Sequence, residues 1–203
     1  MYYIKNISII LFTFVLVAFS VNQDIDNGVC KISKLERANG TQNSNGECVE
    51  VFIGEIPNIN NMVSTVILNP KNNGEIKENQ PFNISVKTIG LSTGFFDDPK
   101  TQYYKFPQTL DNQGLIQGHS HVVIQKIENE NELINPKVFV FFKGLNDKAK
   151  NGEFKVLVQK GLKAGKYRLC TMASSFGHQP VLMPIAQRGN KVFKLNYCML
   201  NLN

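Results

Sequence analysis

The sequence predicts an all-β protein, an immunoglobulin-like two-sheet sandwich, and three observations carry that expectation. Phe82, Ile84 and Val86 alternate with Asn83, Ser85 and Lys87, the period-two signature of a strand with one face buried. Similar short segments recur along the chain, separated by clusters of Asn, Gly and Pro that suit turns. Helical periodicity is nearly absent, which argues against a helical or α/β architecture.

Taken in order, strands are expected near residues 29–35, 48–53, 62–68, 82–87, 119–127, 137–142, 154–159, 166–173, 181–186 and 192–199. Turns are expected at Asn69-Pro70-Lys71-Asn72-Asn73-Gly74 and at Arg188-Gly189-Asn190, and only residues 146–151 suit a short helical turn. So many short strands in one domain favour two packed sheets. The run Leu162-Lys163-Ala164-Gly165-Lys166-Tyr167 places a Tyr at a strand start just after a turn, as in the tyrosine corner of immunoglobulin-like sandwiches. Cys170 follows Tyr167 by three positions where a true immunoglobulin domain has two, and no Trp is present. The expected likeness is therefore one of architecture. No repeat, low-complexity tract or linker divides residues 21–203.

Lys5, an apolar run from Ile7 to Phe19 and Ala18-Phe19-Ser20 form a secretory leader over residues 1–20. The run passes directly into Asn22-Gln23-Asp24 and is too short for a membrane anchor. Cleavage after Ser20 leaves residues 21–203 as one secreted domain. In an oxidising compartment the four cysteines, Cys30, Cys48, Cys170 and Cys198, are expected as disulfides. Three pairings are open, and proximity favours Cys30 with Cys48 and Cys170 with Cys198. A four-thiolate zinc site lacks the C-x-x-C spacing it needs. Asn39-Gly40-Thr41 and Asn83-Ile84-Ser85 are acceptor triplets for N-glycosylation at Asn39 and Asn83.

The chain has 203 residues and a formal charge of +6. Charge is unevenly placed: residues 137–203 hold 12 of the 22 basic side chains against few acidic ones. A basic half offers docking to an acidic extracellular protein or glycan, although lysines interspersed with apolar residues also describe a solvated face. No nucleic-acid motif is present, and an exported protein seldom meets nucleic acid.

The three histidines fall in two segments, Gly118-His119-Ser120-His121-Val122-Val123-Ile124 and Gly177-His178-Gln179-Pro180. On a strand, Ser120, Val122 and Ile124 share one face, while His119 and His121 share the other. With His178 they form a candidate three-imidazole site for copper or zinc. Structural hydrogen bonding at a sheet end is the plainer alternative. Gly118-His119-Ser120-His121-Val122 has Val122 where a hydrolase elbow needs glycine, and no strand-to-helix turn follows, so Ser120 is not expected as a nucleophile. Asp97 and Asp98 are adjacent and would point apart on a strand. No catalytic residue is assigned. Phe95, Phe96, Tyr103 and Tyr104 form a possible aromatic contact loop, or a cap on the open end of the core.

Ser92-Thr93-Gly94-Phe95 is loosely similar to the Thr-Gly-aromatic loop of chagasin-type cysteine-protease inhibitors. More extensively, Thr93-Gly94-Phe95-Phe96, Pro107-Gln108-Thr109-Leu110, Gly118-His119-Ser120-His121-Val122-Val123-Ile124, Phe141-Phe142-Lys143-Gly144-Leu145-Asn146 and His178-Gln179-Pro180-Val181-Leu182 resemble a family of small secreted fungal proteins. This resemblance spans roughly Cys30 to Gly189 and implies an extracellular fungal origin without an assigned activity or carried-over site. The expected function is non-catalytic, effector-like binding at the cell surface or on a host component. Metal binding through His119, His121 and His178 is the alternative, and protease inhibition a further one.

Overall fold

The computed structural model describes residues 28–189 together with the backbone of 198–202. The expected leader and most of the expected strand at 192–199 lie outside the described residues. Nine strands are seen among the described residues: β1 (Ser64–Asn69), β2 (Glu75–Ile76), β3 (Phe82–Ile89), β4 (Leu91–Thr93), β5 (Ile116–Ile127), β6 (Phe141–Leu145), β7 (Glu153–Val158), β8 (Gly165–Ser175) and β9 (Cys198–Leu202). They form a three-stranded sheet in the order β1-β3-β7 and a six-stranded sheet in the order β2-β9-β8-β5-β4, with β6 also paired to β5. The protein is an all-β two-sheet sandwich, as its alternation predicts.

That alternation builds the core. Ile84 and Val86 from β3 and Phe154, Val156 and Val158 from β7 pack against Val122 and Ile124 of β5 and Tyr167 and Leu169 of β8. Every second residue of each strand thus points into one apolar layer, while its neighbours face outward. A second buried cluster of Val63, Leu91, Ile116, Ala173 and Val181 closes one end. Tyr167 is only 2% exposed, and its hydroxyl donates to the Lys163 carbonyl at 3.0 Å, so the expected tyrosine corner is present.

Several expected elements differ. Residues 29–35 hold a 3-10 turn at Val29–Lys31 and residues 48–53 form no strand. Isolated bridges hold this region instead, Arg37 with Cys48 and Gly54 with Gln108. Residues 181–186 also form no strand; Pro180 makes a single bridge to Ser174, and proline withholds the donor a longer ladder needs. The helical turn expected at 146–151 is absent; Asn151 sits at φ 52° in a tight turn. The strand expected at 137–142 is shifted to Phe141–Leu145. β2 and β4 are short and pair in parallel with β9 and β5; segments so brief carry no readable period.

Cys30 and Cys48 form the disulfide that proximity favours. The second expected bridge is corrected, because Cys170 carries a free, buried thiol. In the β8–β9 register Cys198 stands opposite Leu169, one position from Cys170.

Candidate ligand cleft over strand β5

The site begins with the alternation of β5. Ser120, Val122 and Ile124 take the core face, so His119 and His121 project from the outer face. The antiparallel register sets His119 opposite Ser174 and His121 opposite Met172, and directly opposed residues share a face. Gly118 makes this approach possible: a Cβ there would collide with the Ser174 carbonyl oxygen.

Two loops roof the outer face. Phe96 from the first packs edge-on against His119 and His178, with centroids 5.0 Å and 5.2 Å away. His178 from the second brings its ring to 4.8 Å from His119, which in turn lies 4.8 Å from His121. Tyr103 and Tyr104 stack at 4.2 Å, and Tyr103 lies 5.7 Å from His178. The structure therefore brings all three sequence-nominated histidines into one cluster, beside three of the four aromatic residues of the candidate contact loop. Phe95 contributes its backbone. Its carbonyl faces His119 Nδ1 at 3.1 Å.

A carbonyl can only accept, so Nδ1 of His119 carries the proton and its Nε2 is a bare lone pair. His178 Nε2 likewise donates to the Asp97 carbonyl at 2.9 Å. His119 is fully buried. Its Nε2 and the Nδ1 of His121 are both buried without a hydrogen-bond partner. Burial, reinforced by the neighbouring His121 and His178, pulls His119 down to about 3. Burial lowers His121 as well, opposed by the nearby Met172 carbonyl and reinforced by His178. Burial, with the Tyr104 hydroxyl adding to it, raises Tyr103 far above the usual phenol range. Burial thus favours the neutral form of His119 and His121 in the cluster.

Above it opens a cleft of about 460 Å³ lined by Phe96, Tyr103, Tyr104, His121, Phe142 and His178, with Met172 and Ser174 also on its wall. Two of these residues are backbone-strained: Tyr104 lies at φ 54° and His178 at φ 74°. The other positive-φ residues besides glycine, among those described, are all Asn, the type that tolerates this region best. Strain of this kind concentrates at functional sites.

The remaining nominated residues fall elsewhere. Ser120 faces inward and its hydroxyl donates to the Met172 carbonyl at 3.2 Å, away from the imidazoles. Asn39 and Asn83 are exposed. Thr93 Oγ1 accepts from the Ala149 amide at 2.8 Å, so the Thr-Gly-Phe loop is tied to the body. Among the described residues, no three His, Cys, Asp or Glu side chains are arranged to hold a metal ion. Sequence reasoning missed Met172, Ser174 and Phe142. Alternation along residues 165–175 places Met172 and Ser174 on one face, but only strand register brings that face to the histidines.

A model of the CLU5d N-terminal domain matches residues 65–192, a span containing all three histidines and eight of the nine strands in whole or in part. The chain belongs to the CLU5d N-terminal domain family. A relative, "Pathogenicity cluster 5 protein d" of the fungus Colletotrichum graminicola, is 47% identical over 155 residues. That alignment covers 74% of this chain and 32% of the relative, so the chain spans about a third of the relative's length. The Colletotrichum relative gives the fungal character of the motif resemblance its support. Among the described residues of this CLU5d N-terminal domain, no helix is long and apolar enough to cross a membrane.

Proposed function

We propose that this domain is exported and acts as an effector-like binding protein, at the cell surface or on a host component, with the aromatic cleft over β5 as its ligand site. The observation that carries the reading is the pair of strained residues, Tyr104 and His178, held on the wall of the same cleft. Rings with polar edges grip the face of a sugar or a similar amphipathic ligand, and imidazole nitrogens hydrogen-bond its hydroxyls. The pathogenicity-cluster name of the fungal relative and the Cys30–Cys48 disulfide support action outside the cell.

Two measurements test this. Protein recovered from culture medium should begin at Val21, and retention inside cells with the leader intact overturns the export reading. On an array of cell-wall oligosaccharides, the mature protein should bind a subset and a Tyr104→Ala variant should lose that binding by at least about tenfold, a loss expected of a central aromatic contact. Equal binding by the variant, or no binding by either, removes the cleft from the proposal.

A second reading has its own observation. Two buried imidazole nitrogens without partners, on His119 and His121, beside His178, describe a place where copper or zinc would satisfy what the protein leaves open.

A further inference from the structure

The outer face of β5 and β8 carries more than histidine. Because His121 stands opposite Met172, and His119 opposite Ser174, the Met172 side chain is the direct cross-strand neighbour of His121 and the diagonal neighbour of His119. Met172, His121 and His178 all line the cleft. Met172 therefore belongs to the strand floor of the pocket, beside His121.

The imidazoles are prepared as ligands. His119 has its Nδ1 hydrogen bonded to the Phe95 carbonyl at 3.1 Å, which fixes the tautomer and leaves Nε2 bare, the outer-shell arrangement found around metal-binding histidines. That Nε2 and the His121 Nδ1 are buried and unpartnered, although a buried polar nitrogen normally finds a partner. His178 is fixed by the same kind of carbonyl bond, yet the three imidazoles do not together make a three-nitrogen site among the described residues. A third ligand of another chemistry is needed, and the thioether is the donor the register supplies.

We infer that His119 Nε2, His121 Nδ1 and the Met172 thioether form a copper(I) site at the inner end of the cleft, with His178 as its wall. Thioether sulfur is a soft donor that selects copper(I) over zinc, while imidazole suits both. Copper(I) is also content with few ligands, so this set needs no further protein group. The step is binding alone and moves no electron. The inference rests on the metal reading of the histidine cluster and refines it in two ways, naming the metal and exchanging His178 for Met172.

The test is an anaerobic titration of the purified mature protein with copper(I) held by a chromogenic copper(I) chelator, with ascorbate present, and a parallel titration with zinc. Stoichiometric copper(I) uptake is expected. Met172→Leu, which conserves volume, should weaken copper(I) by at least about tenfold, the smallest loss seen even when outer-shell partners are removed, and His121→Asn should abolish uptake. His178→Asn, chosen because Asn tolerates positive φ, should retain copper(I) within about threefold, as should Cys170→Ser, the control for the free thiol. X-ray absorption of the wild-type copper(I) protein should show a sulfur scatterer that persists in Cys170→Ser, which keeps the inference testable should Met172→Leu not fold. Copper(I) binding indifferent to Met172, lost in Cys170→Ser or lost in His178→Asn overturns the inference while leaving metal binding in place. Failure of the wild type to take either metal overturns both.

Discussion

At the scale of single residues, the polar interior explains what each buried group needs. His119 is pulled from 6.5 to about 3, so the folded protein holds it neutral at pH values where the unfolded chain protonates it. A depressed folded value means stability is complete above about pH 6.5 and is lost as pH falls towards 3, with a slope approaching about 1.4 kcal/mol per pH unit. Unfolding midpoints measured between pH 7 and pH 4 should drop, and His119→Gln should flatten that drop; an unchanged profile in the variant removes His119 as its source. Gln108 is fully buried, its amide donating to the Glu55 and Leu182 carbonyls at 2.7 and 3.2 Å and accepting from the Leu182 amide at 2.8 Å. It joins three segments that share no strand. Gln108→Leu leaves those three backbone groups unpaired and should cost about 3 kcal/mol or more by denaturant unfolding, given roughly 1–3 for each orphaned buried group. Tyr167→Phe strands only the Lys163 carbonyl and should cost about 1–2 kcal/mol.

Elements set where those residues stand. β5 presents a core face and a site face, and its ladder with β8 runs unbroken from Gly118 opposite Ser175 to Ile127 opposite Lys166. Gly118 lies where the backbones approach closest to the histidines. Gly118→Ala should force the strands apart, lowering the unfolding midpoint and disturbing the His119 and His121 ring resonances together in NMR spectra. Normal stability with unshifted ring signals would show that the ladder absorbs the methyl group elsewhere. Further along the same outer face, Gln125 accepts from Arg168 at 2.6 Å and donates to the Asn135 and Val138 carbonyls at 3.2 and 2.9 Å, fastening the loop before β6. The outer face of β5 is thus covered at both ends, by the Phe96 and His178 loops over His119 and by the loop before β6 over Gln125.

Across the whole molecule, the two sheets meet in one apolar layer, with Ile84, Val122, Ile124 and Leu169 fully buried within it. Ile124→Ala removes packing at the centre of that layer and should destabilise by about 2–5 kcal/mol, a substantial share of a domain's total stability; a loss below about 1 kcal/mol would mean the sheets repack around the gap. The Cys30–Cys48 bridge closes an 18-residue separation in a region with little ladder pairing. Reduction should cost about 3 kcal/mol by the loop-closure argument, with the loss read as a lower denaturant midpoint.

Alternation along residues 82–87, 119–127, 154–159 and 166–173 was enough to foretell a two-sheet β architecture, because burial of one strand face imposes period two whatever the partner strand is. The same alternation put His119 and His121 on one side of a strand and Tyr167 at a corner. Strand order, the parallel pairing of β2 and β4, the tie made by Gln108 and the free thiol of Cys170 depended on contacts between residues far apart in the chain. His178 joins the other histidines only because a loop folds back over β5, and Met172 faces His121 only through register. A strand's own residues state which side is apolar; which neighbour lies across from it is decided by the packing of the entire sheet.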